Sequence, residues 1–202
     1  GASPTAILNR LDRGERFDVV VLAAPELNKL AEKGYVDPNS QSPLVNSSIG
    51  MAVPKGAPKP DISSAEKFEK VLLNAKHIGY SASASGTHLE KDVFPSFPPV
   101  EYKVISSKAE KVVGDRVAKR IAEGQFDIGF QQISEIKPFT GKYGQVELVG
   151  PIPAPYQKVT VFAAGIGKNS EHAKVAKELI KFVKSPQATQ IIEEQGLEQV
   201  KE

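Results

Sequence analysis

Between Ile7 and Glu26 the apolar positions change their period. In ILNRLDRGERFDVVVLAAPE they are spaced as on one helix face up to Leu11, pause at Gly14, and then run together as Val19, Val20, Val21 and Leu22. A helix closed by glycine and followed by a short apolar strand produces that pattern. The same change recurs in VAKRIAEGQFDIGFQQISE, Val117 to Glu135. Each copy carries an arginine, a glycine at the helix end, an aspartate, a strand, and a small or polar loop that ends in glutamate. They read as one helix-to-strand unit used twice, although helix–Gly–strand is common in any α/β protein.

The rest of the pattern alternates in the same way. A strand over 47–53 runs into a Pro- and Gly-rich connector, 54–60, that cannot be helical. DISSAEKFEKVLLNAKHI predicts a helix in which Ser63 and Glu66 match a capping box. Further strands are predicted over 102–105, 126–130 and 146–149, with a helix over 111–123 between the first two. A strand over 158–164 leads into two C-terminal helices, broken at Ser185-Pro186 and stopped by Gly196. The fold class is therefore α/β, with a mainly parallel sheet flanked by helices in each of two lobes. The crossings at 47–53 and 158–164 are the hinge candidates. They predict one lobe from residues 1–53 with 163–202 and another from 54–162.

Ligands in open α/β sheets bind beyond the carboxyl ends of strands. Three loops lie at such ends: the one at Ala23 and Ala24, the one from Ser81 to Gly86, and Gly129-Phe130-Gln131-Gln132. The middle one, within IGYSASASGTHLEKDVF, places Ser83, Ser85, Gly86 and Thr87 where a helix begins. A helix start presents unpaired N–H groups and partial positive charge, which suit an anion. Gly86 would allow close backbone approach, although capping and turn chemistry account for the same residues. Gln131, ending a buried strand, joins the ligand candidates. Hydroxyls, amides and backbone donors suit an oxyanion or a carboxylate better than general acid–base hydrolysis. His88 and Asp92 share a helix face and are weak metal-ligand candidates for want of a third ligand. Ser64-x-x-Lys67 fits an acyl-transferase pattern whose companion motifs are absent.

Composition narrows these readings. The chain has 202 residues, 40% of them hydrophobic, a formal net charge of +2 and no cysteine. That charge is too mild and its lysines too scattered for a nucleic-acid surface. Disulfides, thiol catalysis and cysteine-based metal centres are excluded. No cofactor, membrane insertion or signal-peptide core is expected, and a monomer is.

The ordered series GASPTAI, RLDRGERFDVVVLA, IGYSASASGTHLEKDVFP, VAKRIAEGQFDIGFQQISEI, VELVGPIPAPYQKVTVFAAGI and LIKFVKSPQATQIIEEQGLE resembles the molybdate-binding-protein-like group of type II periplasmic solute-binding proteins. The resemblance covers nearly the whole chain. It implies two α/β lobes joined by two crossing strands and closing on an oxyanion, a periplasmic or extracellular location, and an ABC transporter permease as partner. By position it carries ligand contact onto Ser3, onto 83–87, and onto Phe130 with Gln131. The family's first strand and helix have no counterpart here, and its tyrosine contacts are replaced by Phe130 and Gln131. The likeness is to a divergent branch that includes an isomerase of trans-aconitate. The implied function is capture of a small oxyanion or organic acid, with no chemistry. The alternatives are isomerisation of a small polycarboxylate, for which Ser85, Thr87 and His88 are the proton-transfer candidates, and binding of a metal cation.

Overall fold

Residues 6–201 are described by the computed structural model, in which the chain divides into two units, Gly1–Ser47 with Thr160–Glu202 and Ser48–Val159. The first begins with α1 (Ile7–Asp12), β1 (Val19–Ala23), α2 (Ala24–Glu32) and β2 (Ser42–Ser47). α1 ends as its glycine demands. The Gly14 N–H donates to Leu11 O and the Glu15 N–H to Arg10 O, with Gly14 at φ 84°.

The second unit contains β3 (Ile49–Pro54), α3 (Ala65–Asn74), β4 (Ile78–Ser81), α4 (Ala84–His88), α5 (Pro99–Lys108), β5 (Ala109–Val112), α6 (Val117–Ala122), β6 (Ile128–Gln132), α7 (Ile133–Ile136) and β7 (Val146–Pro151). α4 continues through a π turn, Leu89–Val93, and a 3-10 turn, Phe94–Ser96. α3 is capped by Ser64, whose Oγ accepts the Lys67 N–H at 3.2 Å. The capping hydroxyl is thus one residue later than Ser63, and it explains Ser64-x-x-Lys67 as helix-start chemistry. The chain then returns to the first unit with β8 (Thr160–Ile166), α8 (Ala173–Val183), α9 (Pro186–Glu194) and β9 (Glu198–Gln199).

Both units are sheets flanked by helices. In the first the order is β1-β8-β2-β9, and every described pairing is antiparallel where a mainly parallel sheet was expected. The reason is insertion: β8 slots between β1 and β2 and runs against both, separating two strands that point the same way. Leu11, Leu27 and Leu30 belong to one apolar cluster of this unit, and Leu44, Ala176 and Ile180 to another.

The second sheet has the order β5-β4-β6-β3-β7, with β5, β4 and β6 parallel and β3 and β7 antiparallel. Phe68, Ile78 and Phe130 lie in one core cluster, and Val117, Ile121 and Ile136 in another. Three sequence expectations change here. The segment 47–53 is two strands broken at Ser48 rather than one. Residues 102–105 lie inside α5, opened by Pro99 in the first turn, and only Ile105 of that helix is buried. Residues 111–123 are not one helix but the end of β5, a turn at Gly114 with φ 74°, and α6. No helix among the described residues is long and apolar enough to cross a membrane.

Candidate functional site

In the second unit β4 has β5 on one side, and the chain then returns to place β6 on the other. The carboxyl ends of β4 and β6 therefore bracket a switch point, where such sheets leave a crevice for a ligand. Tyr80 is level with Phe130 across this pair, and Ser81 and Gln131 follow them at that end. Both are buried, at 4% and 3% exposure.

Ser81 is the hub of a hydroxyl chain. Its Oγ lies 2.8 Å from Ser83 Oγ and 2.8 Å from Ser85 Oγ, and it accepts the Gly86 N–H at 3.3 Å. Ser85 is 1% exposed, whereas Ser83 and Thr87 face solvent. A hydroxyl donates one proton and accepts on two lone pairs. A chain running from Ser85 through Ser81 to Ser83 uses two protons internally and presents the third at the exposed end, each bond polarising the next. Ser83 does not spend its hydroxyl on capping α4. Among the described residues the N–H groups of Ala84 and Ser85 take no hydrogen-bond partner either. The loop can present a hydroxyl proton and backbone donors to an anion without supplying a full charge.

Gly86 has a different role from the one its sequence suggests. A Cβ on it would stand 1.5 Å from the Ser81 carbonyl oxygen. The close approach that glycine permits is to the chain's own strand end, so a side chain there would disturb the fold before it met a ligand. Phe130 is also internal. It is fully buried and packs edge-on against Phe68 at 5.8 Å. Gln131 projects to the other face, where its Oε1 accepts the Ala118 N–H at 3.4 Å and ties β6 to the start of α6. Ser3 lies outside the described residues.

His88 and Asp92 meet, but as a strut. His88 Nδ1 is 2.8 Å from Asp92 Oδ2, and Nε2 is 2.9 Å from the Tyr156 carbonyl oxygen. Both ring nitrogens are engaged. Among the described residues no cluster of three or more His, Cys, Asp or Glu forms around a metal-sized position.

The structure adds a loop that the sequence reading hid. Because β5 ends at Val112, residues 113–116 form a third strand-end loop beside the serines, joined to them where the Ala82 N–H donates to Val112 O at 3.1 Å. Asp115 in this loop accepts the Arg116 N–H at 2.8 Å and pairs with Lys119 at 3.1 Å and Arg120 at 3.0 Å. Those donors, the backbone N–H first, hold its carboxyl below the usual range. Arg116 is exposed, and its guanidinium stands 6.0 Å from the Phe139 ring centroid. Among the described residues no carboxylate lies within ion-pair distance of it.

Comparison with known proteins agrees with this architecture. The sequence profile of the bacterial extracellular solute-binding proteins matches residues 1–198. An aconitate isomerase of a Pseudomonas species is 38% identical over 200 residues, covering 99% of this chain and 74% of that protein. A Bacillus subtilis protein named as an ABC transporter substrate-binding lipoprotein, YvgL, is 23% identical over 197 residues, covering 96% of this chain and 72% of its own. The periplasmic molybdate-binding protein of Azotobacter vinelandii superposes with a TM-score of 0.65 at 21% identity, over 93% of this chain and 80% of that one. The chain belongs to the bacterial extracellular solute-binding proteins, with the type II fold of the molybdate-binding-like group.

Proposed function

We propose that the protein captures a small polycarboxylate of the aconitate kind outside the cytoplasm and presents it to an ABC-type permease. The observation that carries this reading is the hydroxyl chain from Ser85 through Ser81 to the exposed Ser83, beside the N–H groups of Ala84 and Ser85 at the switch point. A carboxylate placed there would accept the Ser83 proton and the backbone donors. Hydrogen bonds to a charged group contribute about 1.5–3 kcal/mol each, so a few of them account for a large part of a micromolar affinity. The aconitate isomerase at 38% identity supports a polycarboxylate over molybdate, and the family supports export and a transporter partner.

Isomerisation is the second reading, favoured by that same relative. Shifting a double bond between two carbons of aconitate takes a proton from the methylene carbon and returns one to the former vinyl carbon. Such a shift needs a side chain that alternately holds and releases a proton. In this loop Ser85 is buried and bonded, and His88 has both nitrogens engaged. Those commitments favour capture over chemistry.

Calorimetric titration with trans-aconitate, cis-aconitate, citrate and molybdate, paired with proton NMR of each aconitate during incubation, tests both readings. Saturable binding of a tricarboxylate with unchanged spectra is expected. Binding of molybdate alone overturns the polycarboxylate reading, and interconversion of the two aconitates replaces capture by catalysis.

A further inference from the structure

We infer that Arg116 is the specificity-determining residue of this site, pairing with a second acidic group of the ligand, so that the site selects di- and tricarboxylates over single carboxylates. The inference rests on the polycarboxylate reading and deepens it. Three observations lead to it. The loop 113–116 leaves the carboxyl end of β5, which pairs in parallel with β4, so it opens at the same end of the sheet as Ser83. The two loops are hydrogen-bonded at their roots through Ala82 and Val112. The acids that flank Arg116 in its own loop and at the end of α6 are already committed: Asp115 and Glu123 both pair with Lys119 and Arg120.

An arginine left without a carboxylate, at the edge of a site otherwise built from neutral donors, supplies the one full positive charge those loops lack. Its contact with the Phe139 ring gives the guanidinium a face to rest on while leaving the fork of N–H groups for an incoming carboxylate. Adjacent strands lie ~4.8 Å apart. That spacing matches the separation of the end carboxylates on a three-carbon backbone, so one group can sit at Ser83 while another reaches the loop after β5. Neutral donors alone would hold a monocarboxylate equally well; the second anchor makes the difference. Arginine suits this task better than lysine, because its planar fork meets both carboxylate oxygens at once.

The test uses propane-1,2,3-tricarboxylate, a saturated ligand that cannot isomerise, with acetate as the single-carboxylate probe. The intact chain, Arg116→Gln and Arg116→Lys are titrated by calorimetry, and their unliganded melting temperatures are compared. Arg116→Gln is expected to weaken the tricarboxylate roughly ten- to a hundred-fold, with an unchanged melting temperature, and to narrow its preference over acetate. Arg116→Lys should recover part of the loss, and the affinity of the intact chain should fall more steeply with added salt than that of Arg116→Gln. Equal tricarboxylate affinity in the intact chain and Arg116→Gln overturns the assignment while leaving the functional reading standing. Failure of the intact chain to bind any carboxylate overturns the functional reading, and the assignment with it.

Discussion

Ser81 holds together a loop that has little else to hold it, because its neighbours are small and carry no apolar bulk. Its hydroxyl serves Ser83, Ser85 and the Gly86 N–H at once. Replacing it by alanine leaves the buried Ser85 hydroxyl without that partner, a change that costs about 1–3 kcal/mol. Ser81→Ala should therefore melt a few degrees lower, at roughly 2–4 °C per kcal/mol for a chain of this size, and should also bind the polycarboxylate less tightly. A melting curve and an affinity both equal to those of the intact chain would show that the hydroxyl chain does nothing. Gly86→Ala is a sharper case. A Cβ 1.5 Å from a backbone oxygen cannot be relieved by turning a side chain. Overpacking of this kind typically costs about 1–3 kcal/mol and sometimes more, so thermal unfolding should show a loss at least as large as that of Ser81→Ala.

At the scale of elements, α3 shows how local chemistry sets a boundary. Ser64 accepts the Lys67 N–H, while Asp61 accepts the Ser63 N–H and pairs with the Lys67 ammonium at 2.7 Å. Ser64→Ala should destabilise the protein by about 1 kcal/mol, measured by denaturant titration. The Asp61 carboxyl is held well below its ordinary range, chiefly by the Lys67 side chain. A carboxylate depressed in the folded state stabilises above its unfolded value and loses that contribution as pH falls toward the folded one. The difference in melting temperature between the intact chain and Asp61→Asn should thus be full near neutral pH and shrink below about pH 4. A difference that grows on acidification contradicts the assignment. Because Asp61 is exposed, the whole effect is small.

The same scale explains what the sequence made legible. The paired helix-to-strand units were readable because glycine marks both helix ends: Gly124 and Gln125 repeat the bonds of Gly14 and Glu15, donating to Ile121 O and Arg120 O. The serine loop was readable for a similar reason, as its composition is unusual for any buried strand end. α5 was not, since Val100, Tyr102 and Val104 all face solvent and leave no apolar stripe to count. Reading Tyr102 to Ile105 as a strand moved the next helix forward over β5, and Arg116 disappeared onto a supposed helix face. The packing of Gly86 and Phe130 was not legible for another reason, because close approach to Ser81 and Phe68 is a tertiary property that no local pattern encodes.

At the scale of the molecule, the two units differ in how the chain supplies them. Ser48–Val159 is one continuous segment, whereas the other unit is assembled from Gly1–Ser47 and Thr160–Glu202. The continuous unit carries its own five-stranded sheet and two apolar clusters. Expressed alone, residues 48–159 should give a cooperative thermal transition and dispersed amide resonances, and a chain that stays unfolded would show that the division is only geometric.

That division also sets an order of events during synthesis. β1 pairs with β8 alone among the described strands, Val19 opposite Ile166. Its partner is made about 140 residues later, which at ribosomal speed is a delay on the order of ten seconds. Through that interval Val19, Val20 and Val21 emerge as an unpaired apolar strand, while the middle of the chain can already close on itself. On that order of synthesis β1 waits for β8 while the strands of 48–159 already have their partners at hand. A translocation channel or a chaperone that grips extended apolar chain would meet that strand long before folding could withdraw it.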